Sequence, residues 1–205
     1  TMSASDNDGT VENVELWYRY SSDNTNWGDW ILYDNDSTPP HSLVFSPPSG
    51  DGYYEFYSRA WDDRGNCENA PAQADARCGY DTVAPPAPEN LLPENNADLV
   101  TPTPILEWSR VSDMSGVKYE VLVDNDNLFE PPWSYQAENL AENTVTTSPL
   151  APGLYYWKVR AKDGAGNYGA WSEVYQFYVR AWRLLEDFNA CIQTLSGWRP
   201  TEALS

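Results

Sequence analysis

The sequence predicts an all-β chain made of two copies of one sandwich module, and three observations carry that prediction. A stretch is written twice at an offset of 101: Gly52-Tyr-Tyr-Glu-Phe-Tyr-Ser-Arg-Ala-Trp-Asp62-Asp-Arg-Gly-Asn66 and Gly153-Leu-Tyr-Tyr-Trp-Lys-Val-Arg-Ala-Lys-Asp163-Gly-Ala-Gly-Asn167. A repeat of this kind means tandem modules. Apolar side chains alternate with polar ones, the period of half-buried strands. Sixteen Pro and twelve Gly break the chain at short intervals, as many strands joined by turns require.

Taken in order, Val14, Leu16, Tyr18 and Tyr20 alternate with Glu15, Trp17 and Arg19 and predict the first strand. In the first copy of the repeat Tyr54, Phe56, Ser58 and Ala60 share one face. Asp62-x-x-Gly65-Asn66 then reads as a tight turn, because Asp and Asn bond their own backbone and Gly supplies positive φ. A proline-rich linker follows, Asp81-Thr-Val-Ala-Pro-Pro-Ala-Pro-Glu89, expected to be extended and stiff. Val117, Tyr119, Val121 and Val123 repeat the opening strand, and Tyr155, Trp157, Val159 and Ala161 repeat the inward row. The expected division is 1–84, 85–180 and a tail, 181–205. In that tail Leu185, Phe188, Ile192 and Leu195 have helical spacing, while Trp182-x-x-x-Glu186-x-Phe188 returns as Trp198-x-x-x-Glu202-x-Leu204, so helix and a further repeat both stand. Either way the tail is apolar enough to dock.

The stretch Leu150-Ala-Pro-Gly-Leu-Tyr-Tyr-Trp-Lys-Val-Arg-Ala-Lys-Asp-Gly-Ala-Gly-Asn-Tyr-Gly-Ala-Trp-Ser-Glu173 resembles the last two strands of a fibronectin type III domain of prokaryotic surface proteins. Its Leu-x-Pro-Gly lead-in is similar to that family's tyrosine corner. The first module, through Asp6-Asn-Asp-Gly-Thr-Val-Glu-Asn-Val-Glu-Leu-Trp-Tyr-Arg-Tyr20, resembles related Ig-like repeats. The resemblance implies two tandem Ig-like/fibronectin type III-like sandwiches. The copies are unequal: the second has Pro85–Ser112 ahead of Asp113, whereas the first has only seven residues ahead of Asp8. The first is therefore expected to lack its N-terminal strand, either because the chain continues beyond this sequence or because another segment fills the gap.

The net charge of −19 disfavours nucleic acid and anionic membrane as partners. No apolar run is long enough to span a bilayer. The lone His41 lies in a turn-like stretch, and no nucleophile elbow, phosphate loop or zinc spacing accompanies it, so no enzyme is expected. Cys67 and Cys78 have the spacing of a short disulfide loop, with two reduced thiols as the alternative; Cys191 is left over.

Calcium is the sharpest site hypothesis, since short acidic loops supply the hard oxygen ligands it takes. In such a sandwich the loop before the third strand and the loop after the sixth meet at one pole. They carry Asp6 and Asp8 with Asp62, Asp63 and Asn66 in the first module, and Asp113 with Asp163 and Asn167 in the second, where Asp81 is able to join. Turn formation alone is the competing account. Trp17, Trp27, Trp30 and Trp61 are candidates for a sugar-stacking platform, against the alternative that they fill small cores. Trp171 is expected to pack on Arg160 or Lys158. Asn35-Asp-Ser37 fits a glycosylation acceptor.

The expected function is a non-catalytic structural or adhesive segment of an extracellular surface protein, such as an S-layer, stalk, adhesin or filament subunit. Its partners would be copies of itself or neighbouring modules, joined in one variant by strand complementation from the tail. The alternative is a carbohydrate-binding accessory module of a secreted enzyme.

Overall fold

The computed structural model describes residues 9–181; Asp6, Asp8 and the tail from Trp182 onward, with its helix-or-repeat question, lie outside the described residues. All regular structure in the described chain is β. Two compact units emerge. Among the described residues the first is the chain through Pro85 together with two loops, Ser112–Val117 and Lys162–Tyr168, and the second is Pro86–Val111, Lys118–Ala161 and the chain after Tyr168.

The first unit contains β1 (Val11–Ser21), β2 (Ile31–Asp36), β3 (Gly52–Asp62) and β4 (Ala76–Tyr80), in one antiparallel sheet of order β2-β1-β3-β4. Tyr18 stands opposite Phe56 and Tyr20 opposite Tyr54, so the predicted apolar rows share a face. Val14, Tyr18, Tyr54 and Ala60 are buried there, while Phe56 and Ser58 stay half-buried. Phe45, from the irregular segment before β3, turns onto this face. Its ring meets Tyr54 at 5.3 Å and Phe56 at 4.7 Å, both edge-on, a favoured aromatic geometry.

The second unit contains β5 (Asn90–Leu92), β6 (Ala97–Leu99), β7 (Ile105–Trp108), β8 (Val117–Asp124) apart from its first residue, β9 (Tyr135–Leu140), β10 (Thr144–Thr146), β11 (Gly153–Asp163) apart from its last two residues, and β12 (Tyr175–Val179). They form a three-stranded sheet, β10-β7-β5, and a five-stranded sheet, β6-β12-β11-β8-β9. This is the two-sheet strand order of the fibronectin type III-like sandwich. The core lies between the sheets, with Leu106 and Trp108 from one and Val121, Val123, Trp157, Val159, Phe177 and Val179 from the other. The alternation along β11 leaves Tyr155, Trp157, Val159 and Ala161 buried, as the sequence pattern requires.

A tyrosine corner occurs in both units. The hydroxyl of Tyr155 donates to the Ala151 carbonyl at 3.0 Å, and that of Tyr54 to the Gly50 carbonyl at 2.7 Å. The correspondence extends to whole sheets, because β2-β1-β3-β4 matches β9-β8-β11-β12 strand for strand. Among the described residues the facing sheet has no such counterpart. At the offset of β10 lies Leu43–Phe45, which forms no strand among the described residues; the positions at the offset of β7 lie outside them. An unpaired segment has no ladder to define it as a strand, yet Phe45 still points inward. Among the described residues the first unit is thus one sheet with a partial cover.

Candidate metal centre

The two Asp-x-x-Gly-Asn turns are built alike. The Asp62 N–H donates to the Asn66 carbonyl at 3.0 Å, and the Asp163 N–H to the Asn167 carbonyl at 3.1 Å. In each turn one carboxylate oxygen accepts the asparagine N–H and the other accepts its Nδ2, at 2.7 and 2.6 Å in the first and 2.7 and 2.7 Å in the second. Hydrogen bonds from Asn66 side chain and backbone hold the Asp62 carboxyl below its ordinary range. Burial pushes Asp163 up, but the bonds from Asn167, Gly166 and Ala165 outweigh it and leave that carboxyl lowered too.

Only the second turn gathers further carboxylates among the described residues. Asp81, Asp113 and Asp163, all in the first compact unit, offer carboxylate oxygens lying within 4.8 Å of one another. Three local interactions position them. Ser115 donates from N and Oγ to Asp113 Oδ1 at 3.0 and 3.1 Å, while its Oγ accepts the N–H groups of Gly164 and Ala165 at 3.0 and 3.3 Å. Asn167 Nδ2 also donates to the Asp81 carbonyl at 3.1 Å. Glycine is required at 164, since an added Cβ would stand 2.2 Å from the Ser115 carbonyl oxygen.

The donor set fits a hard divalent cation. Calcium bonds oxygen at about 2.3–2.6 Å, so oxygens on opposite sides of it lie up to about 5 Å apart. Asp163 is buried to 6% exposure, and Asp81 Oδ2 is a buried oxygen without a hydrogen-bond partner among the described residues. Like charges held this close repel, and the orphaned oxygen lacks the partner that buried polar atoms normally find. A bound cation answers both. Asn167 helps to position the site, its Nδ2 donating to the Asp163 carboxylate and to the Asp81 carbonyl.

Other candidates are dispersed. Asp62, Asp63 and Asn66 sit at the β3 turn and form no carboxylate cluster among the described residues. Ser115 is the residue that sequence reasoning missed; its signal is the Asp113-x-Ser115-Gly116 turn. The expected disulfide does not form, for Cys67 and Cys78 are both free. Cys67 bridges to Trp61 and Cys78 pairs with Tyr54. Those partners are seven residues apart on β3, about 23 Å at ~3.3 Å per residue, whereas a disulfide needs Cα atoms within about 7 Å. The Cys67 sulfur instead accepts from Arg59 at 2.7 Å. Asn35 is exposed on the edge strand β2, opposite Glu15.

Three of the four candidate tryptophans join a ladder on the outer face of the first sheet. The guanidinium of Arg19 lies 5.3 Å from the Trp27 ring and 4.7 Å from Trp30, and Arg77 lies 5.0 Å from Trp27. Trp30 meets Tyr57 edge-on at 4.5 Å, and Tyr57 stacks with Trp17 at 5.8 Å. Glu55 accepts from Arg19 at 2.5–2.8 Å and pairs with Arg77. All three rings are half-buried in these contacts. Trp61 is half-buried at the end of β3. In the second unit Trp171 packs on both expected partners, Arg160 at 4.5 Å and Lys158 at 4.8 Å.

Neither a family model nor a curated protein matches the sequence. Among solved structures the chain is similar to the fibronectin(III)-like modules of CbhA from Clostridium thermocellum, at 16% identity and TM-score 0.45, covering 89% of this chain and 85% of that one. It is also similar to the FN1–FN3 domains of chicken CNTN1, at 14% identity and TM-score 0.41, covering 82% and 57%. A third likeness, to an alpha-L-rhamnosidase from Dictyoglumus thermophilum, has 22% identity and TM-score 0.37, and covers 48% of this chain but 12% of that one. The fold rests on strand order and the paired tyrosine corners, not on these likenesses, each of which has a TM-score below 0.5.

Proposed function

We propose that the chain is a non-catalytic structural segment of an extracellular modular surface protein, in which a calcium ion fixes the loops of the first unit. The observation that carries the reading is the convergence of Asp81, Asp113 and Asp163. Three carboxylates without a dedicated ligand loop suit weak binding, in the range of about 10⁻⁴–10⁻³ M typical of extracellular modules. Such a site fills only where calcium is abundant, which favours a location outside the cell. The strongly acidic surface, at a net charge of −19, keeps such a segment soluble and concentrates cations around it.

A melting curve with added calcium and with chelator tests this reading. Calcium is expected to raise the midpoint, and Asp113→Asn with Asp163→Asn to abolish the difference; equal midpoints in the unaltered chain would remove the cation from the proposal. Binding to the folded state alone stabilises by about 2.7 kcal/mol at a hundredfold excess over Kd.

A second reading, self-assembly by strand complementation, is favoured by the single sheet that the first unit shows among the described residues. Its inner face is covered among the described residues by a segment without a strand ladder, in which Val44 is 85% exposed. Sedimentation with and without residues 182–205 tests it.

A further inference from the structure

The second unit carries a shallow groove of about 400 Å³, lined by Asn95, Asn96, Asn127, Tyr156, Val174 and Gln176. We propose that this groove binds a neutral oligosaccharide, with Tyr156 as the stacking ring and the carboxamides as hydrogen-bonding partners for sugar hydroxyls. Its volume falls within the range of small-ligand sites.

The lining chemistry selects the ligand. In a chain with 31 Asp and Glu residues, this groove is lined by four carboxamides, an aromatic ring and a valine, with no charged side chain. Carboxamides both donate and accept, which matches hydroxyl groups and offers no counter-charge to an acidic ligand. The amides are also held in place. The Gln176 N–H donates to Asn95 Oδ1 at 3.0 Å, its Nε2 donates to Asn96 Oδ1 at 2.6 Å, and the Asn96 N–H returns to the Gln176 carbonyl at 2.7 Å. These bonds fix the orientation of both asparagine carboxamides. Little ordering entropy is then lost on binding.

The position of the ring matters as much. Tyr156 and Gln176 are register partners on β11 and β12, on the face opposite the buried Tyr155 and Phe177. The next pair on that face, Leu154 and Tyr178, is 40% and 47% exposed. Aromatic area therefore continues beyond Tyr156 along the sheet, as an extended ligand requires. A peptide strand is disfavoured, because β12 is already flanked by β11 and β6 and has no free ladder edge there.

The test is NMR titration of the intact chain with cellohexaose, xylohexaose and mannohexaose, and with hexagalacturonic acid as the charged control. At least one neutral sugar is expected to shift the amides of Asn95, Tyr156 and Gln176. Tyr156→Ala is expected to weaken that binding about tenfold or more, a loss of about 1.4 kcal/mol, while Tyr156→Phe retains most of it. Because Tyr156 points outward, the tyrosine corner at Tyr155 survives both changes. Silence towards all three neutral sugars, shifts confined to other residues, or preference for the acidic sugar would each overturn the proposal. The groove is independent of the cation reading: a chelator-insensitive melt leaves it standing, and a sugar-silent groove leaves the cation standing.

Discussion

Asp62 and Asp163 close equivalent turns with the same three kinds of hydrogen bond, yet among the described residues only one of them stands with other carboxylates. Asp-x-x-Gly-Asn was legible as a turn because every bond that makes it is local. Convergence with Asp81 and Asp113 was legible only through the pole argument. Ser115, which ties the two loops together, is a small residue whose partners lie 49 and 50 positions away. The Asp62 carboxyl is lowered in the folded state, so its contribution is present above the unfolded value near ~3.9 and lost as pH falls through the folded value. The melting midpoint is therefore expected to hold between about pH 7 and 5 and to drop below about pH 4. Asp62→Ala should melt lower at neutral pH and lose less on acidification; parallel pH profiles for the two chains would contradict this account.

At the scale of elements, the period-two pattern placed β1, β3, β8 and β11 because the inward row of each holds most of its buried residues. What the pattern concealed is the outer face of β1 and β3, where Trp17 stacks on Tyr57 and Arg19 lies over Trp30. A tryptophan reads as apolar in any sequence, and whether its ring is open or capped by a guanidinium depends on strands far apart in the chain. Removing the cation should therefore loosen the first unit. Arg19→Met is expected to cost about 1–2 kcal/mol in denaturant unfolding, through lost ring contacts and the Glu55 pair. Arg19→Lys should recover only part, since an ammonium lacks the planar fork. An Arg19→Met chain as stable as the original would show that the ladder is decorative. The cysteines failed for a similar reason. Eleven positions separate Cys67 from Cys78 in sequence, but the intervening chain runs back along β3 and sets them at different ends.

Across the whole chain, the repeat was the most legible feature, and it holds to the level of single hydrogen bonds in the two tyrosine corners. Its limits were less visible. Both copies contain the sheet that carries the repeated motif, whereas the facing sheet appears among the described residues only in the second unit. Strand complementation makes a definite demand here: the full chain should associate with rising concentration in sedimentation, and the chain lacking 182–205 should not. Identical behaviour of the two would rule that partner out. The cluster of Asp81, Asp113 and Asp163 has a consequence of another kind. Its members are 32 and 50 positions apart in sequence, so any ion bridging them closes two long loops at once. Loop closure removes freedom from the unfolded chain, and the gain grows only slowly with loop length. Such a bridge acts as a staple with a solution-controlled catch, fastened or released by salt composition with no covalent bond made or broken.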